Sequence, residues 1–331
     1  MDLRIKWCAG RVFVPSVVIF SGLNVQNAYA AEDAFPNKPI TIVVHTGAGS
    51  STDIFARELA QGAGKVFGKP VVVVNRPGGS GATQMAFIKS AAPDGYTVGV
   101  NTASHLTAMQ TNLKGVYKWQ DFSWITLNQL DPYITVVAAD SPYKTMKDLV
   151  EAGKKEGVNL KVGGFGTVGA AHNIAFNLLA DKAQMPFTWV SYTGGPQAMT
   201  ALLGKHIDVV NTNPGPALQF AEAGRVRILG ILDDKRADSL PQVPTYAEAG
   251  YPVDSSWKQI RGIFGPKQIP AEIQKKLADG FFKAMQTPAF QKYMKETAQI
   301  AGTQGPTEYP AFVEKMDGIG SDWLKKLGLA K

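Results

Sequence analysis

The 331-residue sequence predicts an α/β fold built on a mainly parallel sheet, from three observations. Short β-branched runs alternate with stretches of helical periodicity. The links between them are short and rich in Gly, Ser and Thr. The pattern occurs in two successive series. Hydrophobic residues make up 45% and charged ones 18%, a globular balance that excludes a disordered, collagen-like or coiled-coil chain. The length suffices for two medium α/β domains or one large one.

The first thirty residues read as a segment apart. Arg4, Lys6 and Arg11 form a basic start, residues 12–23 are apolar, and Ala28-Tyr29-Ala30 is an A-x-A cleavage signal. A secretory signal peptide over residues 1–30, cut after Ala30, is expected. The apolar run is too short for a stable membrane anchor, and Pro15 argues against a buried helix. The single cysteine, Cys8, leaves with this segment. The exported chain then has no disulfide, thiolate metal site or cysteine nucleophile. No other long apolar stretch follows, so a soluble exported protein is expected.

In the first series, residues 40–44 (ITIVV) are a buried strand leading into Thr46-Gly47-Ala48-Gly49-Ser50-Ser51-Thr52-Asp53. Phe55, Leu59, Ala63 and Val66 then recur at helical spacing. Residues 71–74 form a second strand, Asn75-Arg76-Pro77-Gly78-Gly79-Ser80-Gly81 a loop, and residues 82–91 a helix. Pro93-Asp94-Gly95 is a turn before a strand at 96–100.

The second series begins with a strand at 134–138. A strand at 160–163 enters Gly164-Phe165-Gly166-Thr167-Val168-Gly169, and its helix carries Ala171, Ile174, Ala175 and Leu178. A strand at 188–192 enters Thr193-Gly194-Gly195-Pro196, with proline near the helix start. A strand at 207–210 ends in Asn211-Thr212-Asn213-Pro214, and the last strand of the set is 226–232. Ile273, Leu277, Phe281 and Met285 then form a helical stripe.

The Gly/Ser/Thr-rich βα loops are the candidate chemistry. Free N–H groups at a helix N-terminus, with the positive end of its dipole, suit an anion, and glycine allows close approach of a ligand. The same glycines could serve only as tight turns. Enzyme motifs fail on specifics. No G-x-x-x-x-G-K-[ST] is present, and Thr52 stands where a dinucleotide fingerprint needs its third glycine. Gly78-Gly79-Ser80-Gly81-Ala82 ends in alanine rather than the glycine of G-x-S-x-G. His45, His105, His172 and His206 show no metal-ligand spacing. His172 reads as a capping or pocket hydrogen bonder, and Asp53 as a residue satisfying N–H groups at a helix start. The formal charge of +7 comes without basic runs or basic stretches interleaved with aromatics, which disfavours nucleic acid.

Several segments resemble one family. They are Asn75-Arg76-Pro77-Gly78-Gly79, Pro93-Asp94-Gly95-Tyr96-Thr97, Asp140-Ser141-Pro142-Tyr143-Lys144-Thr145, and Lys235-Arg236 with Leu240-Pro241-Gln242-Val243-Pro244-Thr245 and Glu248-Ala249-Gly250. In order and spacing they are similar to the periplasmic substrate-binding proteins of tripartite tricarboxylate transporters, the Bordetella uptake gene family. The resemblance runs from Phe35-Pro36 to the C-terminal helix. The sequence departs from the family pattern in the first loop, at His45 and Ser80, and in Trp257-Lys258-Gln259-Ile260-Arg261-Gly262.

The resemblance implies a two-lobed α/β clamshell of type II-like topology, each lobe a mainly parallel sheet flanked by helices. Residues 31–131 with 233–331 would form one lobe and 132–232 the other, bending near Asp131-Pro132 and Leu232-Asp233. Thr46, Gly47, Ser50, Ser51 and Thr52, with Gly78, Gly79, Ser80 and Gly81, would grip a carboxylate. Ser104, Phe165, Gly166, Thr167, His172, Tyr192, Thr212 and Asn213 would face the cleft. Phe165 and Tyr192 could stack on a ligand or serve ordinary packing. The implied protein is a monomeric, non-catalytic receptor without cofactor or metal. It would deliver a small di- or tricarboxylate, or an aromatic carboxylate, to a membrane permease. An exported α/β enzyme on a carboxylated substrate and a ligand-sensing subunit of a signalling system are the alternatives.

Overall fold

A computed structural model describes residues 35–297 and 299–329. The expected signal peptide and its cleavage site lie outside these residues. Strand β1 (Ile40–Val44) feeds helix α1 (Ser51–Phe67), and β2 (Val71–Asn75) feeds a 3-10 turn at Gly79–Gly81 and α2 (Ala82–Ser90). Then come β3 (Thr97–Asn101), α3 (Ala103–Gln110) and the long β4 (Phe122–Asp131). After Pro132 the chain enters a second sheet with β5 (Tyr133–Ala138), α4 (Met146–Gly153), β6 (Leu160–Phe165), α5 (Ala171–Ala183), β7 (Phe187–Tyr192), α6 (Gly195–Leu203), β8 (Val209–Thr212), α7 (Pro214–Glu222) and β9 (Val226–Leu232). It returns as β10 (Gln259–Pro266), α8 (Ala271–Met285), α9 (Pro288–Glu296), the short β11 (Ile300–Ala301) and α10 (Tyr309–Lys326). No helix among the described residues is long and apolar enough to cross a membrane.

The first sheet runs β11-β4-β10-β3-β1-β2 and the second β7-β6-β8-β5-β9. Both are mixed, which refines the expectation of mainly parallel sheets. Strands β1 to β4 share one direction and β10 lies antiparallel between β3 and β4. In the second sheet β6, β7, β8 and β9 share one direction, and β5 lies antiparallel between β8 and β9. In each sheet the inserted strand is the one arriving from the other sheet. That strand enters at the end where the βα loops leave, so it must run against the rest.

β4 and β10 were not legible as strands. Residues 122–131 (FSWITLNQLD) and 259–266 (QIRGIFGP) mix polar residues, glycines and a proline into apolar runs, blurring both periodicities. Their pairing is nonetheless the backbone of the crossover: Gln259 faces Asp131 and Arg261 faces Gln129, with register shifts following.

The expected partition placed every residue after 232 with the first sheet. The segment 237–246 instead packs on the second sheet. Ile231 bridges Thr245, Ala237, Leu240 and Val243 join the core with Ile134 and Val210, and the Tyr246 hydroxyl lies 2.6 Å from that of Thr135. Apolar side chains carried past the end of β9 are buried by folding back on that strand. The chain then returns through Trp257, whose fully buried indole N–H donates to the Ala171 carbonyl at 2.9 Å. Lys258 pairs with Asp233 across the second crossover at 2.8 Å, both side chains buried.

Candidate ligand-binding site

The βα loops of both sheets leave from the carboxyl ends of their strands, where open α/β sheets bind ligands. They converge on a cavity of about 770 Å³, within the size range of small-molecule sites. A larger groove of about 1120 Å³ lies between α7, α9 and residues 235–239. Its walls are lysine- and glutamate-rich surface and hold none of the expected residues, so the smaller cavity is the candidate site.

On the first wall, Ser50 caps α1 by accepting from the Asp53 N–H at 3.2 Å. The helix geometry leaves the N–H groups of Ser51 and Thr52 without intrahelical partners, and both residues line the cavity. Buried Asp53 does not face a ligand. It accepts from the Gly49 N–H at 2.8 Å, from Arg57 at 3.0 Å and from Asn75 at 2.8 Å. Arg57 above all, with these donors, lowers its carboxyl to about 2. Asp53 is the brace of the loop.

The Gly78-Gly79-Ser80-Gly81 turn has positive φ at all four positions. A Cβ on Gly81 would stand 2.9 Å from His105 Nε2. The glycines therefore serve backbone conformation and close packing, and of the four only Ser80 lines the cavity. His105 is itself structural. Its Nδ1 accepts from the Thr102 N–H at 3.1 Å, so Nε2 carries the proton and donates to Gln84 Oε1 at 2.7 Å. Burial holds its pKa well below the ordinary value.

On the opposite wall, Asn213 donates to the carbonyls of Asp131 at 2.9 Å and Pro132 at 3.1 Å, tying the β8–α7 loop to the crossover. That fixes its amide, so Oδ1 accepts from His172 Nε2 at 3.1 Å. Among the described residues His172 Nδ1 is then a buried acceptor without a partner. Burial lowers His172 to about 4, and burial with Arg261 does the same for His45. Both are neutral at pH 7. The exposed Phe165 ring stands edge-on to His172 at 5.7 Å.

The floor carries charge. Arg261 enters on β10 with its side chain 7% exposed and donates from Nη2 to Ser51 Oγ at 3.2 Å. Its Nη1 lies 3.7 Å from Asp131 Oδ2, beyond hydrogen-bond length. Burial pushes Asp131 up to about 7 against the pull of Arg261.

The profile of the tripartite tricarboxylate transporter family receptor matches residues 55–305. The chain belongs to this family. A relative from Cupriavidus necator, the UPF0065 protein in the gbd 5' region, is 33% identical over 94% of each chain. Among solved structures, a TctC solute-binding protein from Polaromonas without ligand superposes with a TM-score of 0.80 at 24% identity, over 88% of this chain and 99% of that one. The periplasmic binding protein BugD superposes at 0.70 and 28% identity, over 90% and 100%. Two Rhodopseudomonas palustris proteins, MatC with bound malate and Rpa4515 with adipate, share the fold at 24% and 23% identity, TM-scores 0.69 and 0.73, over 88% and 89% of this chain and 100% and 99% of theirs. By family the protein is a receptor of the tripartite tricarboxylate transporter type, and by fold it resembles solute-binding proteins.

In this receptor the cavity gathers Thr46, Ser50, Ser51, Thr52, Ser80, Ser104, Phe165, His172, Thr212 and Asn213 from the expected set. Gly47, Gly78, Gly79, Gly81, Gly166, Thr167 and Tyr192 do not line it. Tyr192 turns back into the second sheet, its ring filling the space where Gly163 has no side chain. Thr167 is exposed and takes part in a loop turn through its carbonyl. The lining also includes Asp131, Gln259, Arg261 and Gln299, which loop chemistry did not single out. An arginine inside an otherwise apolar run, and an acid directly before Pro132, were the available signals.

Proposed function

We propose that the protein is exported to the periplasm, captures a small carboxylate in the cavity between the two sheets, and hands it to a tripartite tricarboxylate-type permease. The observation that carries this reading is the contact of Arg261 with Ser51 at the N-terminus of α1 inside the cavity. A buried guanidinium, a helix N-terminus and a ring of hydroxyls act together on one anion. The neutral histidines add hydrogen-bonding capacity without a second full charge, so the anion is held and can still leave. Phe165, Ile54, Pro196 and Pro216 offer apolar surface to the ligand body. The malate and adipate held by the two R. palustris proteins of this fold accord with the same ligand class.

A thermal-shift panel of mono-, di- and tricarboxylates and aromatic acids tests the reading. At least one acid is expected to raise the melting temperature in a concentration-dependent way. A panel with no active acid would overturn the carboxylate assignment. Loss of uptake of that acid on deletion of the gene, with the permease intact, tests delivery. N-terminal sequencing of envelope protein is expected to begin at Ala31, and a retained Met1 would contradict export with cleavage.

A further inference from the structure

We infer that Asp131 and Arg261 form a selective subsite for a carboxylic acid that also carries a hydrogen-bond donor, an O–H or N–H group, beside its carboxylate. The inference rests on the carboxylate reading above and narrows it.

The two charges reach the cavity floor from strands joined at the crossover, where Gln259 pairs with Asp131. They are close but not mutually satisfied. The nearest approach is 3.7 Å, and Arg261 Nη2 is engaged by Ser51. Among the described residues Asp131 Oδ1 is buried without a hydrogen-bond partner, and so is Gln299 Oε1, another acceptor of the same cavity, whose amide lies close enough to Asp131 to help lower its pKa. Arg261 Nε is a buried donor in the same condition. The buried Tyr133 hydroxyl on β5 also lacks a partner and makes no hydrogen bond to Asp131. Buried polar groups are paired in nearly all proteins, so such a set marks a site completed from outside.

The chemistry of the completing group follows. A plain carboxylate would satisfy Arg261, meet the Asp131 carboxyl head-on, and leave Asp131 Oδ1 without a donor. A ligand with an adjacent hydroxyl or ammonium places its carboxylate on the guanidinium and its donor on Asp131 Oδ1. The ligand then offers opposite faces to the two floor residues, and Asp131 Oδ1 is no longer bare. Amino and hydroxy acids share this chemistry, and only the amino acid adds a positive charge.

The test is calorimetric titration of wild-type protein with matched acids that differ only at the carbon beside a carboxylate. Three sets serve: propionate, lactate and alanine; succinate, malate and aspartate; glutarate, 2-hydroxyglutarate and glutamate. In any set that binds, a donor-bearing member is expected to bind about tenfold or more tightly than the unsubstituted acid, the usual effect of leaving a buried polar group unpaired. Asp131→Leu removes the acceptor and is expected to bring the members within about threefold. Asp131→Asn removes the charge while keeping one acceptor oxygen, the other becoming an NH2 donor, and is expected to abolish the extra advantage of an amino acid while sparing that of a hydroxy acid. Equal or tighter binding of the unsubstituted acid by the wild type would overturn the inference, as would a preference that survives Asp131→Leu. A water at Oδ1 would give that lack of preference. The wild-type comparison stands even if a variant fails to fold. If no carboxylate of any kind binds, the broader reading falls; if acids bind without preference, only the subsite does.

Discussion

Replacing Arg261 with methionine is the sharpest perturbation of the site. Methionine keeps most of the buried stem and removes the guanidinium that touches Ser51. The fold is expected to survive for an electrostatic reason. Arg261 is one of the groups holding the Asp131 pKa down, and burial has already raised it to about 7. Without the guanidinium Asp131 takes up a proton at neutral pH, so no unpaired charge is stranded in the interior. Binding is different. A charge-assisted hydrogen bond to a buried arginine contributes about 1.5–3 kcal/mol. At about 1.4 kcal/mol per factor of ten, carboxylate affinity should fall roughly 10- to 100-fold. Arg261→Lys, which keeps the charge and loses the planar fork, should fall between the two. Calorimetry with the acid that most stabilises the wild type measures this, and circular dichroism checks the fold. A folded Arg261→Met protein with unchanged affinity would refute the placement of the carboxylate.

Three further outcomes are expected. Gly79→Ala should lower the melting temperature, since φ is +55° and the new Cβ would lie 3.0 Å from Ala82, yet leave affinity within about twofold; Ser80→Ala should weaken binding by on the order of 1 kcal/mol. For pH, His172 is held neutral in the fold, with its pKa lowered to about 4, and takes a proton when unfolded below about 6.5. Stability is therefore lost as pH falls from 6.5 to 4, by about 3 kcal/mol for this group. Asp131, raised to about 7, acts in the opposite sense, holding a proton in the fold that the unfolded chain releases down to about pH 4. Asp131→Asn should thus steepen the acid loss and His172→Gln should flatten it, as read by denaturant unfolding across that range. Small-angle scattering should show a smaller radius of gyration with saturating acid if the two sheets close on it; binding without a change in size would mean a preformed pocket.

The legible part of the molecule was its βα units. Continuous β-branched runs such as ITIVV at β1 are hard to mistake, and the Gly/Ser/Thr loop after β1 does reach the cavity through Thr46 and Ser50, as does the end of β6 through Phe165. Local sequence could not show which side of a loop faces inward. Gly79 and Ser80 are neighbours of one composition class, and only the run of positive φ decides that Ser80 is the one presented. That Arg261 and Asp131 share the cavity floor was illegible for a deeper reason. Neither sits in a motif, and they meet only because β10 pairs antiparallel with β4. That pairing is non-local and left no periodicity in either strand. The segment 237–246 was misplaced because a strand end does not reveal whether the chain beyond it leaves or folds back.

The most direct test of the whole account is a crystal structure of the protein with the acid that stabilises it most. The account places one ligand carboxylate within hydrogen-bond distance of Arg261 and the Ser51 hydroxyl, with the ligand body against Phe165 and the Thr212–Asn213 wall. Density for the acid in the groove between α7 and α9 instead, with only solvent beside Arg261, would contradict it.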